Sequence, residues 1–128
     1  EVHAIGVPVL SPTEDICNAR LLFANGCVAN LSASRISRDR LRKIRVFEKD
    51  SYLSLDYMNQ CGMLHHKEGD RIVMKEVPIE KREPLFSELE SFIDSVRHRK
   101  DPVVTGDHGT EAVALAMEIT RCMRDCPS

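Results

Sequence analysis

Asp15-Ile-Cys-Asn-Ala-Arg-Leu-Leu-Phe-Ala-Asn-Gly-Cys-Val-Ala-Asn-Leu-Ser-Ala-Ser-Arg-Ile36 decides the fold: two β-rich runs flank Asn25-Gly26, the dipeptide best able to take the positive φ angles of a two-residue type I′ turn. The pattern predicts a β-hairpin. With Asn25 and Gly26 as the turn, opposed residues keep a constant index sum, so Phe23 is expected to face Val28, Leu22 to face Ala29 and Arg20 to face Leu31. One face then carries Cys17, Ala19, Leu21 and Phe23 with Val28, Asn30, Ser32 and Ser34. The other carries Ile16, Asn18, Arg20 and Leu22 with Ala29, Leu31 and Ala33. Neither face is wholly polar, so cover is expected on both.

Downstream, Lys43–Glu48 and Tyr52–Tyr57 read as short strands around Lys49-Asp50-Ser51. Met63–Lys67 and Arg71–Val77 read as a further pair around Glu68-Gly69-Asp70, with Gly69 free to turn left-handed. Connections this short cannot make the crossover that parallel neighbours require, so the expectation is a largely antiparallel sheet of five or six strands. After Pro84 the period changes from two to about 3.6. Leu85, Leu89, Phe92, Ile93 and Val96 share one helical face, with Glu83 and Glu88 near the positive end of the helix dipole and Arg97 to Lys100 near the negative end. Asp101-Pro102 breaks this helix and Val103 to Gly106 is an extended connector. Asp107 is the expected N-cap of a second helix with Ala112, Leu115, Ala116, Ile119 and Met123 as its stripe, and Pro127 marks its end. The fold class is α+β: an open, mostly antiparallel sheet with helices packed on one face and the other face available for dimerisation. No repeat or linker divides residues 1–128, which read as a single domain.

A chain of 128 residues, 42% hydrophobic and 30% charged with a net charge of -2, is neither disordered nor drawn by its overall charge to nucleic acid or membrane. No apolar run approaches the roughly 18 to 20 residues of a membrane helix and no signal-peptide pattern opens the sequence, which reads as cytoplasmic. Cysteines at 17, 27, 61, 122 and 126 are odd in number and lack a C-x-x-C pair, so reduced thiols are expected. Cys122 and Cys126, four apart on the second helix, could share a face, but no neighbouring pair completes a tetrahedral metal site. The chain opens at Glu1 without a methionine and enters a strand-like stretch at once, the expectation for a fragment or processed product.

Chemistry-bearing motifs are sparse. Phosphate binding by backbone needs a glycine-rich strand-to-helix turn. The nearest match, Thr105-Gly106-Asp107-His108-Gly109, sets a carboxylate where the anion would sit and reads as a cap. The run from Arg35 to Arg45 has six cations and one carboxylate. It fits a solvated loop and strand edge, a docking site for a small anionic ligand, or a nucleic-acid contact, the last disfavoured because no aromatic residue interleaves it for base stacking. His65 and His66 are adjacent in a strand and point to opposite faces, so they cannot easily converge on one ion. Ser32, Ser34 and Ser37 with His3 and Asp15 form no recognisable nucleophile arrangement.

Three segments together resemble the carboxy-terminal domain of the Gfo/Idh/MocA oxidoreductases, the family of glucose-fructose oxidoreductase and inositol dehydrogenase. They are the hairpin from Asp15 to Ser34, the strand ending Tyr52-Leu-Ser-Leu-Asp56, and the run from Glu83 through Pro102 and Gly106 into Asp107-His-Gly-Thr-Glu-Ala-Val-Ala-Leu-Ala. The resemblance implies a parent enzyme whose amino-terminal Rossmann domain binds NAD or NADP, and which oxidises a hydroxyl of a sugar, cyclitol or sugar nucleotide. It implies that the family's Glu-Lys-Pro motif and catalytic histidine lie outside this chain. Glu80-Lys81-Arg82 is misplaced for the former, and His65 and His66 do not inherit the latter. No catalytic residue, cofactor or metal is then expected in this chain, which alone is inactive. Ser34, Arg35 and Arg38 are implied to lie near a substrate or cofactor phosphate, and the open sheet face to form a homodimer or higher oligomer. The competing reading is a stand-alone binding or assembly module that recruits a protein through the sheet and the basic loop 35–45.

Overall fold

The computed structural model describes residues 1–125, so the assignments to Cys126 and Pro127 lie outside the described residues. In chain order the elements are β1 (Val2–Val7), β2 (Ile16–Leu22), β3 (Val28–Ser34), β4 (Lys43–Phe47), β5 (Ser51–Asp56), β6 (Cys61–Glu68), β7 (Arg71–Glu76), α1 (Pro84–His98) and α2 (Gly106–Asp125). The class is α+β and, among the described residues, every strand pair is antiparallel, but seven strands form two sheets, β1-β2-β3 and β4-β5-β6-β7, where one sheet of five or six strands was expected. The ladder breaks at the basic segment: residues 35–42 form no strand.

The central hairpin closes differently from expectation. The Gly26 N–H donates to the Phe23 carbonyl (3.0 Å) and the Phe23 N–H to the Cys27 carbonyl (2.9 Å), so the loop has three residues, Ala24 to Gly26. Gly26 has φ +84°, whereas Asn25 is not among the residues with positive φ. This is a type I turn closed by a glycine bulge, which places only a glycine in the left-handed region and spares Asn25 that strain. The register therefore runs one residue off: Leu22 faces Val28, Leu21 faces Ala29 and Arg20 faces Asn30. A slip of one exchanges the faces of β3. Cys17, Ala19 and Leu21 now share a face with Ala29, Leu31 and Ala33. The other face gathers polar residues, with Ser32 Oγ donating to Asn18 Oδ1 (2.7 Å) and Arg20 Nη1 lying 3.4 Å from Asn30 Oδ1.

The chain divides into two compact units, residues 1–38 with the chain from 99 on, and residues 39–98. In the first, α2 lies on the apolar face of the sheet. A Cβ built on Gly6 would sit 2.8 Å from Met123 Sδ, and Cys122 Sγ lies 3.8 Å from the Val2 carbonyl oxygen. Ala4, Ala19 and Leu21 are the buried hydrophobic residues on this face. Thr105, not Asp107, caps α2: its hydroxyl accepts from the His108 N–H (3.3 Å) while His108 Nδ1 accepts from the Thr105 N–H (3.4 Å). Asp107 stands one step inside the helix, which begins at Gly106.

In the second unit, Gly69 takes the expected positive φ (+60°) in the β6-β7 turn. Gln60, also at positive φ, pairs its side-chain amide with the backbone of Arg82, accepting from the N–H (2.8 Å) and donating to the carbonyl (2.7 Å), which ties down the connector before α1. Glu83 caps α1 with both oxygens, accepting from the N–H groups of Leu85 (3.2 Å) and Phe86 (2.5 Å), and Pro84 occupies the first helical position, where its missing N–H costs nothing. The stripe Leu85, Leu89, Phe92, Ile93 and Val96 has the expected period but remains 47–63% exposed, so its burial is not supplied by this unit.

Candidate functional site

The segment between β1 and β2 holds Pro8 and Pro12, and its backbone donors have no ladder to join. Asp15 satisfies them. Its Oδ2 accepts from the N–H groups of Val9 (2.8 Å), Leu10 (2.6 Å) and Ser11 (3.0 Å), and its Oδ1 lies 3.1 Å from the Ser11 hydroxyl. Arg35, the residue after β3, extends the ladder by donating its N–H to the Asp15 carbonyl (3.1 Å). Its Nε lies 2.5 Å from Oδ1, and its Nη2 donates to the Ser11 hydroxyl and to Thr13 Oγ1 (2.9 Å). The Asp15 side chain is 2% exposed. Backbone hydrogen bonds from Leu10 and Val9, reinforced by Arg35, hold its pKa far below the ordinary carboxylate range.

The three residues singled out by the resemblance occupy different situations. Arg35 is committed to Asp15. Ser34 closes a turn, its Oγ accepting from the N–H groups of Ile36 (3.3 Å) and Ser37 (3.1 Å) and from the Ser37 hydroxyl (2.7 Å). The Arg38 side chain makes no hydrogen bond or ion pair with a described residue. The basic run is split between the units after Arg38, and within the second unit Lys43 Nζ lies 3.7 Å from Asp56 Oδ2. Asp56 itself is occupied by the turn that follows β5. It accepts from the Asn59 N–H (2.9 Å), the Asn59 amide (3.0 Å) and the Met58 N–H (3.1 Å), and these bonds, the Asn59 backbone first, lower its pKa.

His65 and His66 point to opposite faces, as expected. His65 stacks on Tyr52 (centroids 5.1 Å) and Tyr52 on Phe47 (4.6 Å, planes 9° apart), forming a three-ring row across β4, β5 and β6. The row lines a groove of about 450 Å³ with Lys49, Lys67 and Ile72. On the opposite face, His66 Nε2 lies 2.6 Å from Glu68 Oε1, a bond that lowers the Glu68 pKa, while His66 Nδ1 is buried with no partner among the described residues. The Cys17 thiol is pushed up by burial and by Glu14, which leaves it a weak nucleophile. Among the described residues, no three metal-ligating side chains converge.

The start of α2 is not a glycine-rich phosphate cradle. Phosphate would need the free N–H groups of a glycine-rich helix start, and at α2 the Thr105-His108 cap and the Gly109 N–H bond to the Thr105 carbonyl (3.1 Å) close that end.

No protein-family model matches the chain. It is 30% identical over 125 residues to UDP-N-acetylglucosamine 3-dehydrogenase of Acidithiobacillus ferrooxidans, covering 93% of this chain and 40% of that protein. The solved structure of that enzyme, GnnA, superposes with a TM-score of 0.88 over 95% of this chain and 39% of its own. The chain matches a partial, carboxy-terminal-like region of oxidoreductases of the Gfo/Idh/MocA type. It spans about 40% of the length of the curated relative it matches. The aldose-aldose oxidoreductase of Caulobacter crescentus shares the fold at 21% identity, with a TM-score of 0.78 over 97% of this chain and 38% of its own.

Proposed function

We propose that this chain is the substrate-cleft and subunit-contact portion of an NAD(P)-dependent oxidoreductase acting on a hydroxyl of a sugar nucleotide. The observation that carries the reading is the similarity to UDP-N-acetylglucosamine 3-dehydrogenase through 95% of the chain, at a TM-score of 0.88 and 30% identity. In this reading the nicotinamide cofactor is held outside these residues, and the chain alone is inactive. Of the three residues to which the resemblance points, Arg38 is the one proposed to face a substrate or cofactor phosphate, because its guanidinium has no partner among the described residues, whereas Arg35 and Ser34 are engaged within the fold.

Exposed surface supports the need for cover. The chain exposes 11107 Å², against about 8,300 Å² for two compact units of half its 14.5 kDa mass. Phe47 (71% exposed), Ile72 (75%) and Met74 (64%) lie on the face of the four-stranded sheet that carries the aromatic row, and we propose that this face meets a second copy of the chain.

Assaying the full-length protein with UDP-N-acetylglucosamine, UDP-glucose and free aldoses, each with NAD⁺ and with NADP⁺, tests the reading. Reduction of the nicotinamide by a UDP-sugar supports it. Turnover of none of these sugars with either nucleotide refutes it.

A further inference from the structure

Asp15 is a buried titratable group that the proposed reaction does not use, and its surroundings have the form of a ligand site. Successive N–H groups of Val9, Leu10 and Ser11 converge on one oxygen at 2.8, 2.6 and 3.0 Å. Consecutive amides aimed at one point make an anion-binding nest, and here a guanidinium stands at 2.5 Å on the other carboxylate oxygen. The carboxylate reaches the nest from the far end of the loop, four to six residues along the chain from the amides it accepts. Local turn chemistry does not dictate this arrangement.

We infer that residues 9–11 with Arg35 form an anion site whose resident ligand is the chain's own Asp15 carboxylate, and that the site takes a free carboxylate or inorganic phosphate when that side chain is cut back. A second consequence rests on the oxidoreductase reading above. Arg35 is a positioning residue: it holds loop 8–14 in place, with its Nε and Nη2 engaged by Asp15, Ser11 and Thr13.

The test is Asp15→Ala in the full-length protein, with formate, acetate and inorganic phosphate as probes. Formate is expected to raise the melting temperature of D15A by several degrees in a saturable manner, to leave the wild type unmoved, and to lose its effect in the D15A/R35A double variant. Should D15A fold only with formate present during refolding, that dependence is the same positive result. A D15A protein that melts like the wild type, or that responds to no anion, overturns the site. In activity, D15A and R35A are each expected to lower kcat/KM for the sugar nucleotide by the same factor, the double variant no further, with formate restoring D15A alone. An R35A variant with raised KM beside a D15A variant with unchanged KM overturns the positioning role. The melting readout needs no turnover, so failure of the oxidoreductase reading and failure of the anion site are distinguishable.

Discussion

Cutting Leu21 back to alanine should remove most of what holds the three-stranded unit together. Leu21 is 4% exposed, and the other buried hydrophobic residues are both alanines, Ala4 (7%) and Ala19 (5%). It is therefore the one large side chain in that core among the described residues. Deleting its three outer carbons forfeits about 0.8 kcal/mol each, or about 2.4 kcal/mol, before any cavity is counted. Alanine neighbours cannot reach into the space, so the total should lie towards the upper half of the roughly 2 to 5 kcal/mol range seen for such truncations. For a unit of this size, about 4 kcal/mol corresponds to a fall of about 16 to 32 °C in Tm. The control is Leu31→Ala on the same face, where the side chain is 44% exposed and the loss should be about half as large. Urea unfolding of the full-length protein, followed by amide hydrogen exchange of β1 and β2, measures both. Equal losses at Leu21 and Leu31, or a Leu21→Ala loss under about 1 kcal/mol, would show that α2 does not cover this face as described.

Gly26→Ala should cost about 1 to 2 kcal/mol, because Gly26 sits at φ +84° with open space around a Cβ, while Asn25→Gly should bring no gain. Stabilisation by Asn25→Gly would instead point to a two-residue turn. Glu83→Ala removes the acceptor of two helix N–H groups and should lower stability by about 1 kcal/mol in urea titrations; no change would deny it the capping role. Asp15 is depressed in the folded state, so its contribution is present above the unfolded carboxylate value of about 3.9 and is lost as pH falls below it. Melting curves should therefore show an acid-side loss that Asp15→Asn abolishes, and an identical acid profile in the variant would contradict this. Phe47→Glu places a charge on the exposed aromatic row and should shift sedimentation of the full-length protein from dimer to monomer; a wild type already monomeric, or a variant still dimeric, rejects that face as the contact.

The hairpin, the later strand pairs and both helices were legible because period and turn chemistry are local. What local signals could not supply was the register. Asn25-Gly26 is equally compatible with a two-residue turn and with the last two positions of a three-residue loop, and the choice between them moves every partner by one. In the expected register Asp15 stands opposite Ile36; in the observed one it stands opposite Arg35, whose N–H it accepts. The polar cluster around Asp15 was hidden by that single step. The helical stripe of α1 shows the opposite limit. Leu85 to Val96 announce an amphipathic helix, but periodicity says only that a face wants cover and not what covers it. For Arg35 and Ser34 the sequence shows charge and hydroxyl content without showing the internal partners each engages, a carboxylate for the one and N–H groups for the other.

The most direct test of the central claim is nicotinamide reduction measured side by side for the full-length protein and for this 128-residue chain, with UDP-N-acetylglucosamine as substrate and NAD⁺ or NADP⁺ as acceptor. Turnover by the full-length protein and none by the chain is the expected result. Turnover by the chain alone, or none by the full-length protein with any UDP-sugar, would contradict it.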